Sequence, residues 1–225
     1  QPIYYAVQKD IDIRTGGPTL IDFDMQRISQ RINIILNIRT EGDIKKEDLL
    51  PPIIELSGAC GHFNISEACL DTTRLYRMVH QAQPDEFTQT GENTYRCVVH
   101  FHTLGVIPSA AKGHLNGPGI LQVALQVSAN RLDASGAPVL DQDGKPVKNS
   151  RYIYGAINPY DELTAAQLIE VRDGKTYLRY SKDDVNIEIT SPLVIKADQI
   201  VSDDTGMGWQ PNDPTNPDDD IIIEI

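Results

Sequence analysis

Arg31-Ile32-Asn33-Ile34-Ile35-Leu36-Asn37-Ile38 alternates with a period of two. Ile32, Ile34, Leu36 and Ile38 fall on one side of an extended chain, and Asn33 and Asn37 fall on the other with Ile35. Successive side chains of a β-strand point to opposite faces, so such a segment buries one face and leaves the other wetter. The same rhythm returns in residues 120–128, where Leu121, Val123, Leu125 and Val127 oppose Gln122, Gln126 and Ser128. It returns again in residues 184–190, where Val185, Ile187 and Ile189 oppose Asn186 and Glu188. One dry and one wet face per strand is the pattern of an antiparallel sandwich. The predicted core therefore draws on Ile32, Ile34, Leu36, Leu121, Val123, Leu125, Val185, Ile187 and Ile189.

Working outward, further strands are expected over residues 3–7, 20–25, 53–56, 95–104, 152–157, 176–180 and 193–197. Sixteen glycines and 14 prolines punctuate the chain at short intervals, which suits many strands and few long helices. Asp143-Gly144 and Asp173-Gly174 supply the positive-φ positions of tight connections. Two short helices are predicted. One covers residues 43–50 and stops at Pro51-Pro52; the other covers residues 161–170, with Asn158 as its cap and Pro159 at its first position. No unit repeated at a fixed period is expected.

The 225 residues are 40% hydrophobic, enough for one substantial core or two small ones. Acids outnumber bases 32 to 20, a net charge of −12, which repels phosphate backbones and anionic membranes and argues against nucleic acid as a partner. The longest apolar runs, residues 32–38 and 221–223, are too short to span a bilayer, so no transmembrane segment is expected. The chain begins at Gln1 and not at Met, which reads as a processed product or a fragment. Cys60, Cys69 and Cys97 are too few for a disulfide framework. A Cys60–Cys69 bridge is geometrically conceivable, and three buried small apolar side chains are the plainer reading.

Candidate chemistry is sparse. His100-Phe101-His102 places two imidazoles on one face of a strand, where they share access to one ion. A zinc site needs a third ligand, and the spacing of His62, His80 and His114 selects none of them, so solvated-face histidines are the expectation. Asp133, Asp141, Asp143 and residues 218–220 offer oxygens for calcium, but the spacing of an EF-hand is absent and Asp141-Gln142-Asp143-Gly144 reads as a turn. Ser57-Gly58 lacks the flanking glycines of a nucleophile elbow, and Cys60-Gly61-His62 pairs a thiol and an imidazole by sequence adjacency alone. Neither a P-loop nor a dinucleotide-binding glycine motif occurs, no cofactor is expected, and an enzyme is the last choice. Tyr152, Tyr154 and Tyr160 cluster in sequence and are candidates for stacking on sugar rings, as is Trp209.

Residues 202–220 form an Asp-, Pro-, Gly- and Asn-rich linker that cannot bury enough apolar surface to order itself. Ile221, Ile222, Ile223, Glu224 and Ile225 follow, a strongly β-prone end that calls for a sheet to join. It serves either as an edge strand of its own domain or as a strand added to a neighbour's sheet.

Three blocks carry a resemblance: residues 21–38 (IDFDMQRISQRINIILNI), residues 51–66 (PPIIELSGACGHFNIS) with an expected turn at Leu56-Ser57-Gly58, and the terminus with Trp209, an acidic linker and DDDIIIEI. Together they resemble the fimbrillin-like surface proteins of Bacteroidales, in particular accessory and anchor-type members often exported as lipoproteins. The resemblance implies a transthyretin-like β-sandwich on the cell surface, in the fimbrium or at the outer membrane. It also implies a minor or tip pilus subunit that assembles by strand exchange, with other pilus subunits or surface proteins as partners and a host protein or glycan as target. The family's lipidated cysteine near the amino terminus has no counterpart, since the first cysteine is Cys60. The expected organisation is an all-β sandwich over residues 1–201, read also as the second domain of a longer precursor, then the linker over 202–220 and the terminal strand over 221–225. A surface glycan-binding module and a virion structural protein stay open as alternatives.

Overall fold

The computed structural model describes residues 3–179 except 12, 14 and 43, residues 184–196, and the backbone of residues 222–223. Thirteen strands are defined among them. In chain order they are β1 (Tyr4–Tyr5), β2 (Gln26–Arg27), β3 (Gln30–Glu41), β4 (Ile53–Asn64), β5 (Cys69–Gln81), β6 (Phe87–Gly91), β7 (Thr94–Thr103), β8 (Leu121–Asn130), β9 (Lys148–Ile157), β10 (Ile169–Arg172), β11 (Lys175–Leu178), β12 (Asp184–Lys196) and β13 (Ile222–Ile223). One α-helix, α1 (Tyr160–Ala166), lies between β9 and β10. The fold is all-β. No helix among the described residues is long and apolar enough to cross a membrane.

Two sheets enclose the core. One has four strands in the order β12-β3-β7-β6, and the other has seven in the order β10-β11-β5-β4-β8-β9-β13. The two-residue strands β1 and β2 pair separately. The alternation of β3 buries Ile32, Ile34, Leu36 and Ile38 to 2% exposure or less, and that of β8 buries Leu121, Val123, Leu125 and Val127. From β12 come Ile187 and Ile189, with Val185 half-buried beside them. Every predicted core residue thus enters the layer between the sheets. Ile35 is buried as well, at 9%, although it sits on the wetter face of β3.

Most pairings are antiparallel, with two exceptions. β12 runs parallel to β3, and its register shifts between Ile189 and Leu193. Exposed Thr190, Ser191 and Pro192 occupy that irregularity. A proline there falls on the outer strand of the sheet, where a missing N–H breaks no ladder. The expected strands at 184–190 and 193–197 are therefore one strand as far as Lys196. The second parallel pair is β13 with β9.

Several expectations need correction. Leu56-Ser57-Gly58 is not a turn: β4 continues through it, with a register shift against β5 between Leu56 and Ala59. Ser57 stitches this bulge to the neighbouring chain, since its hydroxyl reaches the Gly117 and Ile120 carbonyls and accepts from the Ile120 N–H. Gly58 has φ +82°, and a Cβ there would lie 2.6 Å from the Gly119 nitrogen, so both conformation and close approach demand glycine. The helix expected over 43–50 is a single 3₁₀ turn, Lys46–Asp48, because Leu49 and the Leu50 N–H are already drawn onto β8. The second helix ends at Ala166, where Gln167 turns left-handed with φ 49°, and Ile169-Glu170 join β10. Asn158 does not cap it; its amide donates to the Ala111 and His114 carbonyls, and Pro159 stands at the cap. Residues 20–25 form no strand, and of residues 3–7 only Tyr4–Tyr5 do. Strands β2, β5, β6 and β10 were not anticipated.

The tight turns are as read. Asp173 and Gly174 join β10 to β11 with φ 50° and 71°, the doubly positive pair of a two-residue hairpin. A fixed-period repeat, however, does exist. Asp-Ala-Ser-Gly-Ala-Pro-Val-Leu at 133–140 is followed by Asp-Gln-Asp-Gly-Lys-Pro-Val-Lys at 141–148. Both units fold alike. Asp133 Oδ1 accepts from the Ser135 and Ala137 N–H groups, and Asp141 Oδ1 from those of Asp143 and Lys145. Arg131, Val139 and Val147, spaced by the same period, close a ring of backbone bonds of 2.7–2.8 Å.

Truncating Leu125, fully buried on β8, to Ala should cost about 2–5 kcal/mol in urea denaturation. Ile65→Ala, at a side chain 57% exposed, should change stability by about 0.5 kcal/mol or less.

Candidate functional site

The carboxy-terminal segment meets the seven-stranded sheet at its outer edge. Ile222 pairs with Tyr154 and Ile223 with Gly155, in parallel. β9 is shaped for close packing at this point. Ile153, Gly155 and Ile157 face inward, and a Cβ on Gly155 would come within 3.2 Å of Leu193 Cδ1 on β12. β9 and β12 thus approach each other here, and Ile222–Ile223 join this side of the sandwich. Ile221, Glu224 and Ile225, the rest of the expected assembly strand, lie outside the described residues, as do the linker over 202–220 and Trp209.

On the outward face of β9, Tyr152 and Tyr154 stack with ring centroids 6.2 Å apart and planes 22° from parallel. Tyr152 is 46% exposed. Strand period two places the pair on one face, so this clustering of tyrosines was readable in the sequence.

The histidine pair behaves as surface polar residues. Phe101 turns into the core between His100 and His102, and His100 Nδ1 lies 2.7 Å from Asn33 Oδ1 across the strand pair. No cluster of three or more metal-ligating side chains occurs among the described residues. Burial pushes the His102 imidazole below its ordinary value, and the Arg31 and Arg27 guanidiniums add to this. The Asp133 and Asp141 carboxylates are occupied by their own turns, which draws Asp133 below the usual range; residues 218–220 lie outside the described set.

Cys60 and His62 do not form a nucleophile and base. Burial pushes the Cys60 thiol up to about 11, with Asp71 adding to this, while His62 turns outward to the Tyr76 hydroxyl at 3.4 Å. All three cysteines are buried and free; Cys60 sits opposite Leu75 and Cys69 opposite Asn64, so the conceivable bridge is not made. Two shallow clefts open on the surface, of about 630 Å³ and 570 Å³. The first lies by the β4–β5 tip, where Glu67 is paired with Lys175 at 3.0 Å and Asp71 accepts from Thr73. The second holds the Gln30 amide, which donates to the Leu168 and Arg179 carbonyls, and Arg172 stacked on Tyr177. Glu67 and Asp71 in the first cleft, and Arg172 and the Gln30 Nε2 in the second, are thus engaged within the fold.

His80 and Glu86 form a half-buried pair, with Nε2 and Oε2 2.7 Å apart. Burial alone would raise the Glu86 carboxyl; the His80 hydrogen bond and the Gln83 N–H outweigh it and hold the group below its ordinary value.

No protein-family model and no curated protein matches the chain. Among solved structures, a Bacteroides ovatus protein provisionally described as an adhesin superimposes with a TM-score of 0.34 at 8% identity. The match covers 81% of this chain and 55% of that one, so the chain spans about half the length of this neighbour. The likeness to fimbrillin-like proteins stands as a resemblance of sequence blocks.

The pKa shifts set the pH response. A depressed Glu86 contributes stability above its unfolded value, lost as pH falls through the lower folded one, so Glu86→Gln should flatten the acid limb of stability against pH. A depressed His102 binds fewer protons folded than unfolded, so stability falls as pH drops through the unfolded value, and His102→Gln should remove that slope. Denaturant titrations between pH 3 and pH 8 read both.

Proposed function

We propose that this chain is a cell-surface structural or adhesive subunit, extracytoplasmic, that assembles with other subunits by strand pairing. The single observation that carries the reading is the docking of Ile222–Ile223 on β9 across the long intervening stretch 197–221. A β-prone end on a linker pairs with a sheet edge through backbone hydrogen bonds, which recognise any extended segment of compatible register. In one copy the segment completes its own sheet. In an assembly it is free to complete a neighbour's, at no cost in the number of bonds formed. The sandwich itself is suited to such a role, because its open sheets end in outer strands. A minor or tip position in a pilus, and lipid attachment at the outer membrane, follow from the sequence resemblance and belong to this proposal.

Removing residues 221–225 should weaken assembly or lower the melting temperature. An identical melting curve and an identical oligomer profile for the truncated chain would remove the proposal.

A second reading, a glycan-binding surface, is favoured by the stacked Tyr152–Tyr154 pair, since flat exposed rings stack on the apolar faces of sugars. On a glycan array, retention that disappears in Tyr152→Ala would support it, and a blank array would count against it.

A further inference from the structure

The second cleft, of about 570 Å³, is walled by β1 and β2, the end of α1, the β10–β11 hairpin and the start of β12. That size falls among small-molecule sites, which span roughly 300–1,000 Å³. Its charge runs against the chain as a whole. In a protein of net charge −12, the described lining sets Arg172 and Arg179 against one acid, Glu170. The cleft by the β4–β5 tip has the reverse balance, Glu67 and Asp71 against Arg74.

The hairpin fixes the arrangement. Glu170 pairs with Tyr177 and Arg172 with Lys175, so Arg172, Tyr177 and Arg179 share one of its faces. The Arg172 guanidinium lies over the Tyr177 ring, 4.5 Å from its centroid, and Glu170 holds it there at 3.3 Å. The pair forms a flat wall. Arg179 is braced by Gln167 Oε1, which accepts from one of the N–H donors of its guanidinium fork. Beneath them lies Gln30, only 7% exposed. Its Nε2 donates to the Leu168 and Arg179 carbonyls, which sets the orientation of the amide. Gln30 Oε1 is left as a buried acceptor with no partner among the described residues. Such an atom is costly and uncommon in a native fold.

The cleft thus calls for a donor at Gln30 Oε1 and for an anionic acceptor at Arg179. Sulfate offers acceptors alone, and a neutral sugar carries no charge. A sugar acid supplies a hydroxyl and a carboxylate together, on a ring with an apolar face for the wall. We propose that this cleft binds an acidic saccharide through a uronic acid unit. The carboxylate takes the planar fork of Arg179, a ring hydroxyl donates to Gln30 Oε1, and one ring face lies against the Arg172–Tyr177 pair. The site is separate from the carboxy-terminal strand and from Tyr152 and Tyr154 on β9, and depends on neither.

The test is a titration of the isotope-labelled full chain followed by its amide NMR shifts. The probes are methyl β-D-glucuronide and methyl α-D-galacturonide, with methyl β-D-glucoside and acetate as comparisons. At least one uronide should bind with a Kd of about 1 mM and move the amides of Gln30, Gln167 and residues 170–179. The glucoside and acetate should each bind roughly tenfold more weakly or worse. Arg179→Gln should cost the uronide roughly tenfold and leave the glucoside unchanged, and Arg179→Lys should recover part of the loss, since it keeps the charge without the fork. Arg179 is exposed, so spectra unchanged away from the cleft confirm that both variants fold. Tyr152→Ala should titrate as wild type. Acetate binding as well as the uronide would reduce the cleft to an anion pocket and overturn the proposal. So would a glucoside that matches the uronide, an Arg179→Gln protein that titrates as wild type, or silence with both uronides up to ~50 mM. Shifts confined to β9 and lost in Tyr152→Ala would overturn it too, while leaving the tyrosine surface as the glycan site.

Discussion

Burial of one face of β3 is the constraint on which the rest of the structure depends. Ile32, Ile34, Leu36 and Ile38 are almost wholly removed from water, and a slip of one residue would exchange them for Arg31, Asn33, Ile35 and Asn37. That cost fixes the register of β3 against both neighbours. β7 is then locked antiparallel, delivering Tyr95, Cys97, Val99 and Phe101 to the same layer, and β12 is locked parallel, delivering Ile187, Ile189, Leu193 and Ile195. The opposite sheet supplies the facing half through Ile54, Leu56, Leu121, Val123 and Leu125. The polar side of β3 is satisfied laterally: Asn33 bridges His100 and Asn186, and Asn37 donates to the Ile189 carbonyl.

Strands with one dry and one wet face were legible from the residues alone. β3, β7, β8, β9 and β12 all announce themselves by alternation, and the core they form contains each side chain named for it. β5 was invisible for the complementary reason. Past Leu70 it leaves the shelter of the facing sheet, both of its faces meet water, and Thr-Thr-Arg-Leu-Tyr-Arg carries no alternation to read. Residues 20–25 show the opposite failure, since they alternate well and pair with no strand among the described residues. Periodicity reports what a segment is able to do once a neighbour is in place, and it is silent on whether the neighbour is there. The over-long helix at 161–170 has a similar origin, because nothing local distinguishes the Ile169–Arg172 stretch from helix until β11 is present to pair with it.

The surface features divide in the same way. The isoleucine-rich terminus and the clustered tyrosines could be picked out by composition, and the structure adds where they lie: Ile222–Ile223 along the edge of β9, Tyr152 and Tyr154 on its outward face, and Tyr160 at the start of α1. The histidine pair and the aspartate-rich loops resembled metal sites only until partners were visible. Asn33 takes one imidazole, and the turns themselves take the carboxylates. How far β5 is paired depends on where β11 meets it, at Leu70 opposite Thr176, a matter of tertiary geometry that no residue type encodes.

The doubled turn at 133–148 has one further consequence. Each eight-residue unit satisfies its carboxylate and its chain-reversal bonds from within, and the two are tied to each other and to the end of β8 through the backbone of Arg131, Val139 and Val147. None of it contributes to the layer between the sheets. The triangle is closed, because Arg131 and Val147 bond to each other directly, and it sits where β8 and β9 begin to pair at Asn130 and Lys148. Two units, neither more nor fewer, bring the chain back to the end of β8 in register, so the doubled turn acts as a gauge that sets where β9 starts.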